Sequence, residues 1–343
     1  MKGLDSENDR GTCLSDWTTF GVPASLERLV HCRSVEEVRG AIVGASARGD
    51  ALHVLGGGSN ILATRDVVGT VLRMAIEGVE CIDGAPSGQV RIKVGAGCVW
   101  HGLVMHSLEQ GWSGLENLAL IPGSVGASPM QNIGAYGVEL EQRFAWLEAV
   151  EVSTGSLRRF DHADCGFAYR ESVFKRALLG QFVITHVAFD LLLEPDLCLD
   201  YGAIGEGLKA AGVDAPTPRD VAEVVMAIRR EKLPDPTVLG NAGSFFKNPV
   251  LSQSAFDRLK KEHPTVPSYD APSGVKVAAG WLIEQAGWKG HDRGTYGVHD
   301  KQALVLVNRG GASGLDILQL SEEVQQGVFA KFGVQLEREV NIW

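Results

Sequence analysis

Residues 116–137 constrain the fold of this chain more than any other part of its sequence. The segment reads ENLALIPGSVGASPMQNIGAYG, and its Gly, Pro, Ser and Asn residues prevent a regular helix or strand throughout. Its apolar residues are nevertheless too many for a solvated linker. A buried irregular segment must have its backbone N–H and C=O groups satisfied, and a polar ligand is one way to satisfy them. We therefore expect this segment to line a ligand site.

A second glycine-rich loop, GGGSN at residues 56–60, follows a short predicted strand at 51–55. Glycines let backbone N–H groups approach an anion without interference from Cβ. The loop lacks the Gly-Lys-Ser/Thr of a Walker A motif, and it continues into Ile61-Leu62 rather than into a helix, which disfavours a Rossmann fingerprint. Taken alone, it is also typical of a tight turn at a sheet edge. Together with the loop at 121–129, it predicts a site that holds the two ends of a pyrophosphate.

Length and charge limit the class of protein. The chain has 343 residues, enough for two or three domains, and its 45% hydrophobic and 22% charged residues predict a globular protein with a buried core. A net charge of −10 disfavours a nucleic-acid or anionic-membrane surface. If the ligand is phosphorylated, local clusters of Lys, Arg and backbone N–H groups must overcome this negative background.

The sequence disfavours membrane, secreted and metal-binding classes. No apolar run approaches the roughly 18 residues that a membrane span needs, and the longest, at 182–193, predicts a buried strand. The N-terminal residues contain no apolar region typical of a secretory signal, so we expect a cytoplasmic protein that begins with a polar tail at 1–19. Six separated cysteines without a CxxC pair predict reduced thiols, and nine histidines without HExxH predict no metal site.

Periodicity and capping signals predict a mixture of helices and strands. Ser34 followed by Glu37 is a capping-box pattern that begins a predicted helix at 35–47. Further helices are expected at 99–110, 221–230 and 314–329, and strands at 51–55, 69–74, 89–94, 182–193 and 303–307. A change of character near residue 212 predicts a domain at 20–212 and a second at 213–343. The predicted fold class is α+β.

An ordered set of motifs resembles one protein family. The motifs are WTTFG (17–21), GGGSN (56–60), VGAG (94–97), the 116–137 segment, CGFAYRES (165–172), KLPDP (232–236), NAGSFFKNP (241–249) and LEREV (336–340). In this order they resemble the UDP-N-acetylenolpyruvoylglucosamine reductases, in the branch with a substrate-capping tyrosine loop. The resemblance implies an FAD-binding domain of the vanillyl-alcohol-oxidase (PCMH) type with two α+β subdomains, followed by an α+β substrate-binding domain.

The resemblance implies a monomeric reductase of peptidoglycan precursor synthesis. It would use FAD and NADPH to reduce UDP-N-acetylglucosamine enolpyruvate, without a nucleic-acid or membrane partner. The implied cofactor-binding residues are Gly56, Gly57, Gly58, Ser59, Asn60, Ile121, Pro122, Gly123, Ser124, Val125, Gly126, Ser128, Asn132 and Gly134. Several members of the wider superfamily attach flavin covalently through a His near the first loop. This loop has none, so we expect dissociable FAD.

Three residues would carry the chemistry. Arg170 would bind the substrate carboxylate, because a guanidinium presents a planar fork of donors. After hydride transfer from flavin N5, Ser244 would protonate the carbon, supported by Lys247, and a protonated Glu339 would stabilise the enediolate-like intermediate. The implied substrate-binding residues are Tyr169, Tyr201, Arg229, Lys232, Lys247, Asn248 and Gln302, and Tyr201 resembles the mobile tyrosine that closes over substrate.

Two departures and two alternatives accompany this interpretation. Arg338 stands where many relatives have proline, and Glu339 lies four residues from the end of the sequence, so we expect its carboxylate to be potentially mobile. Without the motifs, Arg170 and Glu339 would be interpreted as surface residues and Ser244 as a turn residue or cap. The open alternatives are a PCMH-type flavin oxidase of another sugar or alcohol, and a non-catalytic nucleotide-sugar-binding protein.

Overall fold

The first and last helices begin where capping side chains bond backbone N–H groups. In the computed structural model, which describes residues 12–343, Ser34 Oγ accepts a hydrogen bond of 3.1 Å from Glu37 N. The helix that begins there ends at Gly49, which has a φ of 71°. Ser313 and Asp316 form a reciprocal capping box at the last helix. Such caps bond the N–H groups that have no partner inside the helix.

The secondary structure confirms the predicted α+β class. The helices are α1 (Val35–Arg48), α2 (Trp100–Glu109), α3 (His162–Cys165), α4 (Gly202–Ala210), α5 (Pro218–Lys232), α6 (Gln253–Glu262), α7 (Ala279–Gln285) and α8 (Gly314–Phe332). Short 3-10 helices lie at Leu14–Trp17, Glu116–Leu118, Val125–Gln131, Leu140–Gln142 and Val173–Lys175. The strands are β1 (Leu26–Cys32), β2 (Leu52–Leu55), β3 (Ile61–Leu62), β4 (Val67–Met74), β5 (Val79–Ile82), β6 (Gln89–Gly95), β7 (Gly134–Ala135), β8 (Val138–Glu139), β9 (Phe144–Glu151), β10 (Leu157–Asp161), β11 (Phe182–Leu192), β12 (Gly240–Ser244), β13 (Val250–Leu251), β14 (Ser268–Ala271), β15 (Gly274–Val277), β16 (Tyr296–Val298), β17 (Val305–Asn308) and β18 (Asn341–Ile342).

The elements expected from periodicity are all present, with small differences at their ends. The predicted helices correspond to α1, α2, α5 and α8, and the predicted strands to β2, β4, β6, β11 and β17. The start of α5 differs, because Pro218 is its first residue rather than a residue that precedes it. Proline is favourable there, since the first N–H of a helix has no partner to lose.

The described chain divides into two compact units. Unit 1 comprises residue 12, Leu26–Gly58 and Val68–Glu231, and unit 2 comprises Cys13–Ser25, Ser59–Val67 and Lys232–Trp343. The chain leaves unit 1 after α5, beyond the boundary predicted near residue 212. The reason is that Val221, Ala222 and Val225 of α5 are buried in the main core of unit 1. The assignment of 213–231 to a substrate-binding domain stays a prediction.

Unit 1 contains two hydrophobic cores. The larger lies between an antiparallel five-stranded sheet, ordered β10-β9-β11-β6-β5, and helices α2, α4 and α5, with Trp100, Phe160 and Phe189 at its centre. The smaller contains residues of α1 and of the sheet β1-β4-β2, in which β2 and β4 are parallel, together with Val150 of β9 and Val183 of β11. The rings of Trp100 and Phe189 meet edge to face at 5.9 Å. Two cores agree with two subdomains in this unit.

Unit 2 has one core, formed by short sheets and helices. Its sheets are ordered β12-β17-β16 and β13-β15-β14, and Phe245, Leu282 and Val324 are fully buried between them and helices α7 and α8. The last strand, β18, pairs in parallel with β3, with Asn341 opposite Ile61. This pairing joins the end of the sequence to the short segment that follows the first glycine-rich loop.

The predicted tail at 1–19 is wrong for its last residues. Residues 1–11 lie outside the described part of the chain. Leu14 is fully buried, and its N–H donates to the carbonyl of Ala24 at 2.8 Å. Residues 13–19 belong to unit 2, and burial of the apolar side chain of Leu14 attaches them to it.

The structure also bears on the other class predictions. All six cysteines are free thiols, as predicted. Between residues 12 and 343, no helix combines the length and apolar character needed to cross a membrane. In the same range, no group of three or more His, Cys, Asp and Glu side chains could hold a metal ion.

Candidate active site

The glycine-rich loops of unit 1 pack against one another more closely than side chains would permit. A Cβ at Gly57 would lie 2.5 Å from the Cα of Gly123. A Cβ at Gly126 would lie 2.5 Å from that of Ala96, within the VGAG motif. Only glycine allows backbones to approach so closely without displacing a neighbour. The structure thus brings residues 56–57, 94–97 and 123–126 together as one glycine cradle.

The second loop is bonded to the beginning of α2. The N–H of Trp100 donates to the carbonyl of Gly123 at 3.0 Å, and its indole Nε1–H donates to the carbonyl of Leu118, also at 3.0 Å. The N–H of Val125 donates to the carbonyl of Cys98 at 2.9 Å. These bonds satisfy backbone groups that an irregular segment would otherwise bury unpaired.

The cradle fits a cofactor that carries phosphate. Ser124 is buried, and its Oγ has no hydrogen-bond partner within residues 12–343. This Oγ lies 2.5 Å from the place that a Cβ on Gly56 would occupy. A buried hydroxyl without a partner destabilises a protein by about 1–3 kcal/mol unless something else bonds it. A phosphate oxygen is a suitable acceptor, so Gly56, Gly57, Gly123 and Ser124 match the group that the sequence implies.

The remaining predicted cofactor residues of unit 1 differ in their burial and in their hydrogen bonds. Val125 is fully buried in the main core, and Ser128 Oγ donates to the Val125 carbonyl at 2.6 Å. The side chain of Asn132 donates to Glu139 and Glu141 and accepts from Glu141 N, each at 3.0 Å. These three side chains therefore hold the segment in shape. The residues with other placements are Gly58, which is buried with a φ of 65°, Ile121, which packs partly on the core, Pro122, which is exposed, and Gly134, which pairs with Glu139.

Arg170 has a backbone conformation that non-glycine residues rarely adopt. Its φ is 56°, in a tight turn where Ala168 and Glu171 exchange backbone hydrogen bonds. Its Nη2 donates to the carbonyl of Gly134 at 2.7 Å, and its Cζ lies 5.2 Å from the centre of the Tyr169 ring. A conformation of this kind costs about 1–3 kcal/mol and persists where its surroundings hold it, often at functional sites. The guanidinium is therefore held from two sides.

A second guanidinium, that of Arg229, lies within electrostatic range of Arg170. Burial lowers the pKa of Arg229, the hydrogen-bonded Tyr136 opposes that shift, and the charge of Arg170 adds to it. Burial in turn raises the pKa of Tyr136. The ring of Tyr136 meets that of Tyr201 edge to face, with 5.3 Å between centroids. Two cations in unit 1 thus supply the local positive potential that a net charge of −10 made necessary.

Tyr136 was missed as a site residue although the GAYG motif contains it. Its φ is 50°, and its carbonyl accepts a hydrogen bond of 3.0 Å from Asn117 Nδ2. The same Asn117 amide donates to the carbonyl of Cys198 at 2.9 Å. Tyr201, at the beginning of α4, is 43% exposed. Tyr136 therefore connects two predicted substrate residues, Arg229 and Tyr201.

In unit 2, the predicted proton donor and carboxylate lie on neighbouring backbone segments. Ser244 ends β12, and the N–H of Glu339 donates to the carbonyl of Phe245 at 2.8 Å. Asn60 Nδ2 donates to the carbonyl of Glu339 at 3.2 Å. Because β18 then pairs with β3, the backbone around Glu339 is hydrogen-bonded on both sides. The backbone of this segment is thus paired, and the mobility of the Glu339 carboxylate stays a prediction.

The strand pairing around residue 338 is compatible with either arginine or proline. It lies opposite Phe246, between two hydrogen bonds made by its neighbours, so the pairing does not use the N–H of residue 338. Proline, which lacks that N–H, is compatible with the same pairing. In this chain the guanidinium instead donates to Ser321 Oγ at 2.9 Å and pairs with Glu322 at 3.2 Å, both on α8.

Three further predicted residues of unit 2 lie near these segments. Lys247 N donates to the Glu337 carbonyl at 2.9 Å, and its Nζ lies 3.8 Å from the Glu337 carboxylate. Asn248 Oδ1 accepts a hydrogen bond of 2.9 Å from the N–H of Ala279, which begins α7. A Cβ on Gly280 would lie 3.2 Å from Gln302 Oε1. Asn248 and Gln302 thus both lie near the beginning of α7.

Two further predicted residues, Lys232 and Ser59, are accessible to solvent. Lys232 is exposed at the end of α5, and Ser59 is half-buried in the loop before β3. A contact of either residue with a ligand stays a prediction. So does the meeting of Arg170, in unit 1, with Ser244 and Glu339, in unit 2.

Two domain families match the sequence. Residues 26–161 match the family described as FAD binding domain, and residues 235–343 match the family described as UDP-N-acetylenolpyruvoylglucosamine reductase, C-terminal domain. The relatives named UDP-N-acetylenolpyruvoylglucosamine reductase include one from Pseudomonas fluorescens (strain Pf0-1), 49% identical over 96% of both chains. Another, from Azoarcus sp. (strain BH72), is 48% identical over 95% of both chains.

Solved structures support the same grouping. The crystal structure of UDP-N-acetylenolpyruvylglucosamine reductase from Thermus caldophilus matches with a TM-score of 0.68 and 26% identity, over 98% of this chain and 99% of that one. The 6-hydroxy-D-nicotine oxidase of Arthrobacter nicotinovorans has a TM-score of 0.52 and 14% identity, over 97% of this chain and 87% of that one, and shares the fold alone. These matches confirm the predicted FAD-binding domain followed by a reductase C-terminal domain. The chain belongs to the UDP-N-acetylenolpyruvoylglucosamine reductase family.

Proposed function

We propose that this protein reduces UDP-N-acetylglucosamine enolpyruvate to UDP-N-acetylmuramate, a step of peptidoglycan precursor synthesis. FAD is the cofactor and NADPH the reductant. The observation that carries the proposal is the 49% identity to a relative of that name over 96% of the chain. The glycine cradle and the two cations of unit 1 support it, because they suit a phosphorylated cofactor and an anionic substrate.

The glycine cradle would hold the diphosphate of FAD. Gly57 lets the first loop pack directly on the backbone of Gly123, and Ser124 Oγ would offer the diphosphate a hydrogen bond. When bound, FAD supplies the hydride at its N5 after reduction by NADPH. The loop at 56–60 contains no His for a covalent link, so the cofactor is dissociable.

Arg170 would bind the carboxylate of the enolpyruvyl group. Hydride addition to the terminal carbon moves charge onto the adjacent carbon and this carboxylate. A preorganised donor aimed at such developing charge contributes about 3 kcal/mol, and the turn around Arg170 holds the guanidinium before substrate arrives. Glu339 would help only while protonated, because a second anion would oppose the charge that develops.

Ser244 would complete the reaction by protonating the carbon. A serine hydroxyl is a weak acid, so the proton must be replaced through a relay, for which Lys247, three residues further along the chain, is the candidate cation. The uridine diphosphate part would contact Arg229, Lys232, Asn248 and Gln302, while Tyr169 and Tyr201 enclose the sugar. We also propose that the protein acts as a monomer in the cytoplasm; its six free thiols agree with that compartment.

The test is an anaerobic measurement of both half-reactions. NADPH is expected to bleach the absorbance of the bound flavin faster than NADH does, and UDP-N-acetylglucosamine enolpyruvate to restore it faster than oxygen does. A preference for oxygen would favour the alternative of a sugar or alcohol oxidase. A protein that binds a UDP-sugar but cannot be loaded with FAD would favour the non-catalytic alternative.

A further inference from the structure

His101 is hydrogen-bonded to the backbone at the start of residues 120–124, the cofactor loop. It lies in the first turn of α2, and its Nδ1 accepts a hydrogen bond of 3.1 Å from the N–H of Leu120. Leu120 has a φ of 59°, although a branched side chain disfavours the left-handed region. This conformation persists only if neighbouring groups hold it, and the ring of His101 supplies one such group.

The bond to Leu120 complements the bonds that Trp100 makes to the same loop. Trp100 holds the carbonyls of Leu118 and Gly123, on either side of Leu120. His101 holds the amide between them. The three bonds together determine the path of the chain from residue 118 into the glycine cradle at 123–126.

The bond depends on the protonation state of His101. Nδ1 accepts a hydrogen bond only when it carries no proton. Protonation of the ring would place an N–H donor opposite the N–H of Leu120 and break the bond. The charged groups that face the ring are Arg230 and Arg229 of α5, and the N-terminus of α2 adds a partial positive charge. Burial lowers the pKa of His101, and both arginines lower it further. The surroundings thus favour the neutral ring that the bond requires.

We propose that His101 is a positioning residue for the cofactor loop, and that its unprotonated Nδ1 keeps residues 120–124 in the shape that retains FAD. This inference rests on the proposed function only in taking that loop to bind FAD. It predicts that acid loosens the cofactor through this residue. The loss begins as the pH falls below the ordinary histidine pKa of about 6.5, because the lowered pKa means that the folded loop resists protonation.

Three variants separate this role from a general effect on stability. His101→Asn places an amide oxygen, which cannot be protonated in this range, near the position of Nδ1. His101→Leu keeps the bulk and removes the acceptor. His106→Asn is the matched control, because His106 is half-buried on the same helix and its ring packs on Trp112 at 6.0 Å rather than on the loop. The readout is the rate of FAD release from the diluted holoenzyme, followed by flavin fluorescence at about pH 7.5 and about pH 5.

The expected rates follow from the loss of one hydrogen bond. Wild type and His106→Asn should release FAD about tenfold faster at the lower pH, and His101→Asn should release it slowly at both values. His101→Leu should be about tenfold faster already at the higher pH, with little further change.

Three results would overturn the inference: no pH dependence in wild type, wild-type pH dependence in His101→Asn, or wild-type release from His101→Leu. If His101→Leu does not fold, the pH dependence of His101→Asn tests the inference by itself.

A Gly57→Ala variant distinguishes the proposed FAD site from the proposed role of His101. If it releases FAD at the wild-type rate, the cofactor site itself is wrong. If it releases FAD quickly while the His101 variants resemble wild type, only the role of His101 is wrong.

Discussion

Units 1 and 2 hold their candidate site residues by different means. Among the described residues, the non-glycine residues with positive φ are Leu120, Asn132, Tyr136 and Arg170, and all of them lie in unit 1. The candidate residues of unit 2 are placed by strand pairing, since Ser244 ends β12 and Glu339 is bonded to the residue that follows it. Unit 1 therefore holds Arg170 through a strained, hydrogen-bonded turn and its glycine loops through close backbone packing, while Arg229 lies on the regular helix α5. Unit 2 holds Ser244 and the backbone of Glu339 through strand pairing, with an irregularity in β12 before Ser244.

This difference suggests a division of labour. An irregular backbone can surround a cofactor and aim donors at its anionic groups, whereas paired strands place a hydroxyl and a carboxyl at adjacent positions. We expect substitutions in unit 1 to affect the binding of FAD and of the substrate carboxylate. Substitutions in unit 2 should affect proton delivery, without changing how the cofactor is held.

The largest effect is expected for Ser244→Ala in unit 2. Reoxidation of the reduced enzyme by substrate should slow by about 10²–10⁴-fold, because a positioned acid contributes that much. Reduction of the bound flavin by NADPH should stay within about twofold, since no proton passes through Ser244 in that step. Stopped-flow absorbance resolves the two half-reactions. Equal slowing of both would refute the division of labour.

Arg170→Met tests the cation of unit 1. Reoxidation by substrate should slow by about 10²–10³-fold, because the developing charge loses a preorganised donor. Arg159→Met is the control: Arg159 is an exposed arginine on β10, paired with Asp161, and its loss should leave both half-reactions unchanged. If Arg159→Met were as slow as Arg170→Met, the defect would reflect total charge rather than position.

Gly57→Ala should weaken FAD binding by about 5- to 150-fold. The new methyl group would lie 2.5 Å from Gly123 Cα, and such overpacking typically costs about 1–3 kcal/mol. Gly40→Ala, in α1, is the matched control because a Cβ there meets nothing within 4 Å. Titration of the apoprotein with FAD measures both. Similar affinities for the two variants would show that the cradle does not bind the cofactor.

The smallest effect is expected for Ser313→Ala, at the N-cap of α8 in unit 2. Loss of the hydroxyl removes the capping bond to Asp316 N, which should lower the free energy of unfolding by about 1 kcal/mol. Chemical denaturation measures this change. The affinity for FAD should not change. A clear loss of affinity would show that the stability of unit 2 and the binding of FAD by unit 1 are not separable.

Local signals made much of the fold predictable. The cap at Ser34 directly precedes the helix that it begins, so neighbouring residues suffice to recognise it. The glycine loops were readable for a similar reason, because close backbone approach requires one residue type. The chain leaves unit 1 after α5 rather than near residue 212, because the apolar face of α5 is buried in unit 1, a long-range contact that no local signal indicates.

Long-range contacts set the limit for the site. The bonds from Glu339 to Phe245 and to Asn60 join residues far apart in the sequence, so the backbone near the chain end was not expected to be held. The positive φ of Arg170 and the role of Tyr136 depend on Gly134 and Arg229, which no local pattern indicates. The motifs identified the residues, and only tertiary structure shows what holds them.

The most direct measurement of the central claim is a crystal structure of the protein with FAD and UDP-N-acetylglucosamine enolpyruvate. The account predicts that the Arg170 guanidinium lies within about 3 Å of the substrate carboxylate and that Ser244 Oγ lies beside the carbon it protonates. A complex in which Arg170 and Ser244 contact different molecules, or none, would contradict it.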